Sequence, residues 1–73
     1  MTKYKILKTL TLTLIDSQGR CSSTLKPESN VILESDGKTL WTVNAMGVRK
    51  ESTTNINYAI PKWLSEGTIE EIF

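Results

Sequence analysis

Val31-Ile32-Leu33-Glu34-Ser35-Asp36-Gly37-Lys38-Thr39-Leu40-Trp41-Thr42-Val43 is the stretch that decides the fold. Two short apolar runs, rich in β-branched and aromatic residues, flank an Asp-Gly pair. Gly takes positive φ freely and Asp bonds to nearby backbone, so Asp-Gly between such runs is the strongest short hairpin signal a sequence carries. Residues 31–33 are read as one buried strand and residues 39–43 as its antiparallel partner.

Toward the N-terminus the pattern stays β. Tyr4, Ile6, Leu10, Leu12 and Leu14 alternate with Lys3, Lys5, Thr9, Thr11 and Thr13, which predicts one long strand with an apolar and a polar face. Leu7 and Lys8 invert the alternation once, as a β-bulge would. Asp16-Ser17-Gln18-Gly19 has turn chemistry, so residues 20–25 return as the second arm of a hairpin. Lys26-Pro27-Glu28-Ser29-Asn30 then interrupts the ladder, because Pro lacks a donor and Ser and Asn bond to local backbone.

Toward the C-terminus the signals weaken. Residues 44–52 lack periodicity and contain Gly47, so they read as a loop or an irregular strand pair. Thr54, Ile56, Tyr58 and Ile60 alternate with Asn55, Asn57 and Ala59, which reads as another strand. Pro61 suits a first helical position and Gly67 the residue just past a helix end, so residues 61–66 are predicted as one helical turn. Residues 68–73 are read as a short closing strand. By analogy of pattern, the whole of 1–73 is expected to be one mainly β domain, a small five- or six-stranded antiparallel curled sheet or SH3-like barrel with one short helical turn near the C-terminus.

Composition narrows the chemistry. The 73 residues suffice for one core, and 38% hydrophobic residues with a formal net charge of +1 are ordinary for a globular chain. Apolar runs are far shorter than the ~20 residues of a membrane span, and the N-terminus lacks signal-peptide character, so no membrane association is expected. Cys21 is the single cysteine, whereas an exported domain of this size would ordinarily carry paired cysteines, so a reducing, cytoplasmic setting is expected. There is no histidine, which removes the commonest general base, the partner of a nucleophilic Ser or Cys, and the commonest metal ligand. Neither a GxGxxG nor a GxxxxGK[ST] pattern occurs, and Glu70 and Glu71 are adjacent, so on a strand they point to opposite faces. Cys21, without a nearby cation at a helix end, reads as an inert, partly buried thiol. No catalytic residue, cofactor or metal is assigned, and the chain is read as non-enzymatic.

What remains is binding. Charge is uneven: through residue 26, Lys3, Lys5, Lys8, Arg20 and Lys26 stand against Asp16 alone, while the end carries Glu66, Glu70 and Glu71. Nucleic acid is one reading, through Lys3, Lys5, Arg49 and Lys50, but Tyr4, Trp41, Tyr58 and Trp63 all share positions with core-type residues and are expected inside rather than on a stacking platform. Docking on a larger protein is the favoured reading, through the polar face of the first strand, taken as a free sheet edge, and through a loop holding Met46, Arg49 and Lys50. The partner-binding residues are therefore Lys3, Lys5, Met46, Arg49 and Lys50, on a monomer or homodimer. Chains of this size without catalytic groups are common among viral and plasmid regulators, so the expected role is a phage-encoded regulator or inhibitor of a host enzyme such as RNA polymerase.

Overall fold

The computed structural model describes residues 1–16 and 18–72, with Ser17 and Phe73 outside the described residues. Its strands are β1 (Thr2–Ile6), β2 (Leu10–Asp16), β3 (Gly19–Leu25), β4 (Ile32–Ser35), β5 (Leu40–Val43), β6 (Arg49–Ser52) and β7 (Ile69–Ile72); a 3-10 turn (Pro27–Ser29) precedes β4, and the helix α1 (Ile56–Ser65) precedes β7. All seven strands belong to one antiparallel sheet in the order β3-β2-β6-β5-β4-β1-β7. The sheet is curled and not closed.

The hairpin at the centre of the sequence forms as read. Asp36 Oδ1 accepts from the backbone N–H of Lys38 and of Thr39, both at 2.8 Å, and Gly37 takes φ +93°. That geometry pins the register of β4 on β5, with Ser35 opposite Leu40 and Leu33 opposite Thr42. The next hairpin is built the same way. Asn44 Oδ1 accepts from Met46 N at 2.9 Å and Val48 N at 3.0 Å, so the segment read as irregular turns tightly into β6.

The first strand is where sequence and structure part. The inversion at Leu7 and Lys8 is a corner rather than a bulge: both backbone N–H groups donate to Thr68 O, at 2.7 and 3.1 Å, and the chain leaves β1 as a separate strand β2. β1 lies between β4 and β7, and β2 between β3 and β6, so neither is the free edge expected of it. The edges are β3 and β7. Splitting the strand adds one to the count, and β6 adds another while residues 56–60 leave the sheet for α1, so seven strands stand where five or six were read.

The core lies on the concave face. Leu10, Leu12 and Leu14 of β2, Tyr4 and Ile6 of β1, Leu33 and Leu40 pack against Ile56, Ala59, Ile60 and Trp63 of α1. Those four helix positions follow the i, i+3, i+4, i+7 spacing of an amphipathic helix, and Asn55 caps it by accepting from Asn57 N at 3.1 Å. Helix therefore prevails over the strand read for residues 54–60, and Pro61 sits inside α1 rather than opening it. The stop at Gly67 is as read. Gly67 at φ +71° donates to Leu64 O and Thr68 N donates to Trp63 O at 2.8 Å, the pair of bonds that ends a helix in a Schellman motif.

The burial of the aromatics divides. Tyr4 and Trp63 are core residues, but Trp41 lies half-buried on the other side of the sheet and Tyr58 is 73% exposed on the outer side of α1. Only one face of β5 has a helix over it, and that face takes Leu40 and Thr42.

Removal of Trp63 in Trp63→Ala is expected to cost about 3–5 kcal/mol, which a domain of this size barely withstands. Trp41→Ala is expected to cost about 1–2 kcal/mol, since the ring keeps water on one side. Urea denaturation of both variants checks this, and equal losses would contradict the placement of Trp41.

The hydrogen bonds from Thr39 N and Lys38 N hold the Asp36 carboxyl below the ordinary aspartate value. A depressed folded value means that the ionised side chain stabilises the fold above the unfolded-state pKa, and that this contribution is lost as pH falls through the folded one. Asp36→Asn, which keeps the acceptor and removes the titration, is expected to flatten the acid limb of a melting-temperature profile between about pH 5 and 2. An unchanged acid limb would assign the pH dependence elsewhere.

Candidate functional site

The face of the sheet away from α1 is fixed by the register. Lys3 and Lys5 of β1 stand opposite Glu34 and Ile32 of β4 on one side, and opposite Ile72 and Glu70 of β7 on the other. Glu34 stands opposite Trp41, and Trp41 opposite Glu51; Ile32 stands opposite Val43, and Val43 opposite Arg49. Directly opposed residues of an antiparallel pair share a face. Ile32, Trp41 and Val43, each half-buried, therefore form an apolar strip on which no helix lies, bordered by charge.

Arg49 joins the two. Its guanidinium carbon lies 4.5 Å from the centre of the Trp41 ring, and its Nε is 3.4 Å from Glu34 Oε2. Lys3 Nζ is 3.9 Å from the other Glu34 oxygen, and Arg49 Nη2 is 3.6 Å from Met1 Sδ. The Glu34 side chain is only 13% exposed, so the carboxylate is held between two cations beneath the surface. Arg49 is thereby held over the indole, a cation presented on an aromatic, at small further entropic cost to any ligand that meets it.

The five residues expected to bind a partner are not all together. Lys3, Lys5 and Arg49 share this outer face. Lys50 does not: it stands opposite Thr42, on the concave side of β6, because adjacent strand residues point to opposite faces. Met46 is at the tip of the β5–β6 turn, 88% exposed, with Val48 beside it at 51%. Cys21 is exposed on β3 rather than partly buried; desolvation and the neighbouring Asp16, whose Oδ2 is 3.6 Å from Sγ, raise the thiol's pKa and keep it protonated near neutrality.

Two residues of this face, Trp41 and Glu34, escaped the sequence reading. Leu40-Trp41-Thr42-Val43 is apolar at both parities, so alternation could not say which side faced water. The usable signal was Glu34 opposite Trp41 in the register set by Asp36-Gly37, since a carboxylate on β4 marks the solvent side for its cross-strand neighbour.

On β1, β4, β5, β6 and β7 the outward charges balance, Lys3, Lys5 and Arg49 against Glu34, Glu51 and Glu70. Among the described residues no pocket opens, and no three metal-ligating side chains gather. Among the described residues, too, no helix is long and apolar enough to cross a membrane. Comparison with protein-family models, with curated proteins and with solved structures finds no match.

The Arg49–Glu34 contact is expected to contribute about 0.5–1 kcal/mol of coupling in a double-mutant cycle of Arg49→Ala and Glu34→Gln, read by urea denaturation. Strict additivity of the two variants would mean that Glu34 does not hold Arg49 in place.

Proposed function

We propose that this chain is a non-enzymatic binding module that docks on a larger protein through the outer face of β1, β4, β5 and β6. The observation that carries the reading is Arg49 stacked on half-exposed Trp41 at the centre of an uncovered, partly apolar sheet face. Trp and Arg are the residues most often responsible for binding energy at protein interfaces, and they act best where the surrounding groups exclude water. Ile32 and Val43 supply that apolar surround, and Lys3, Lys5, Glu51 and Glu70 the polar rim. Met46 and Val48 extend the surface at the turn.

Balance of charge favours a protein over a nucleic acid. Phosphate binding depends on accumulated positive charge, whereas two of the three cations here already share Glu34. The half-buried indole on the same face as Lys3 and Lys5 supports the nucleic-acid reading as the second one, since bases stack on such rings. The role we propose is a regulator or inhibitor of a large host enzyme, with RNA polymerase as the first partner to test.

The experiment is capture of purified bacterial RNA polymerase, and of partners from nuclease-treated lysate, by the tagged chain and by its Trp41→Ala, Arg49→Glu and Lys50→Glu variants. Capture is expected to fall at least about tenfold in the first two and to persist in Lys50→Glu, whose side chain leaves the opposite face. Binding lost only with Lys50→Glu would place the surface on the concave side. Binding to single-stranded DNA at ~50 mM salt that weakens steeply with added salt would favour the nucleic-acid reading instead.

A further inference from the structure

We propose that β3 is the strand through which two copies of this chain pair, edge to edge and antiparallel, across a two-fold axis at Ser22. This stands apart from the docking face, which lies on other strands. β3 is one of the two ends of the sheet, seven residues long, and among the described residues only β2 pairs with it. Residues 19–22 and Thr24 are exposed, so the side chains on both faces leave the outer backbone edge open to water.

Natural edges are ordinarily protected by charge, Pro, a bulge or short length. β7, the other end, has such protection: it is four residues long and carries Glu70 and Glu71, one on each face. A second copy laid along β7 would set carboxylates against carboxylates. β3 has little of this protection. Gly-Arg-Cys-Ser-Ser-Thr-Leu holds no Pro, pairs with β2 in unbroken register from Leu10–Leu25 to Asp16–Gly19, and carries Arg20 as its one charge.

Self-complementarity identifies the occupant as a second copy. In a symmetric antiparallel pair one residue must stand opposite itself, because neighbouring residues on a strand alternate between bonded and non-bonded positions. With Ser22 there, all seven residues of β3 pair: Cys21 opposite Ser23, Arg20 opposite Thr24, and Gly19 opposite Leu25. The two Arg20 side chains then lie at opposite ends of the ladder, and no like charges meet. The hydroxyls of Ser22, Ser23 and Thr24 are small enough to leave the approaching backbone unobstructed and can bond across the new pair.

Sedimentation velocity of the reduced chain up to ~100 µM is expected to show a monomer–dimer equilibrium, which corresponds to an affinity no weaker than that concentration. Ser22→Lys, which sets two ammonium groups face to face at the axis, is expected to weaken dimerisation at least about tenfold while leaving the circular-dichroism melt of the monomer in place. Glu70→Lys on the other edge is expected to leave the equilibrium unaltered. As a check independent of the folding of Ser22→Lys, Ser22→Cys in a Cys21→Ser background should form a disulfide-linked dimer on air oxidation, since directly opposed strand residues meet the Cα separation a disulfide needs. A monomer throughout, a dimer undisturbed by Ser22→Lys, or an oxidised Ser22→Cys chain that stays monomeric would each overturn the proposal.

Discussion

A single residue, Thr68, joins three parts of this structure through its backbone. Its N–H donates to Trp63 O and ends α1, while its carbonyl accepts from Leu7 and Lys8 and turns the chain between β1 and β2. Thr68 is buried, and polar backbone groups taken from water must be paired, so leaving its N–H or its carbonyl without a partner would cost about 1–3 kcal/mol. Lys8 Nζ adds a bond of 3.2 Å to Glu66 O, placing a cation at the C-terminal end of α1 where the helix dipole favours one. Helix end and strand corner are thus one junction.

The strand order follows from that corner. A straight strand through residues 2–16 would keep both halves at one place in the sheet. Turned at residues 7–9, its two halves serve opposite ends of the same sheet, β1 beside β4 and β7, β2 beside β6 and β3. The β2–β6 junction is short: Leu14 stands opposite Ser52, with Ser52 Oγ donating to Thr13 O at 2.6 Å and Thr53 N to the same carbonyl at 3.1 Å. The hydrogen-bonded ladder is thin there, and the apolar side chains of β2 against α1 supply what the ladder lacks. The concave face is consequently committed to the helix, and the convex face is left to its cross-strand pairs.

That division places the proposed docking surface and the core on opposite sides of the same short strands. Leu40 and Thr42 serve the core while Trp41 and Val43, one bond away, serve the outer face. Glu34 illustrates the consequence for electrostatics. Largely covered by its neighbours, it would be poorly solvated alone, and Lys3 and Arg49 pair with it. The same arrangement uses up the positive charge that the sequence suggested was available, so an apparent basic patch becomes a neutral face with a fixed cation on an aromatic ring.

Local chemistry was legible in the sequence wherever a few adjacent residues suffice to specify it. Asp36-Gly37 made its hairpin because the Asp carboxylate and the Gly backbone need no distant partner; Gly67 stopped its helix for the same reason; and Leu10, Leu12 and Leu14 declared an inward face by period alone. Residues 56–60 were ambiguous, because Ile56, Tyr58 and Ile60 satisfy a period of two as well as Ile56, Ala59, Ile60 and Trp63 satisfy a period of 3.6. The Asn55 cap was the one local hint toward helix, and burial of Trp63 against the sheet decided it. Which side of Trp41 faces water, whether residues 2–16 are one strand or two, and which strands are edges were settled only by the tertiary structure. Each depends on where α1 and Thr68 come to rest, contacts made across some sixty residues of chain, and no periodicity along a strand carries information about what will cover it.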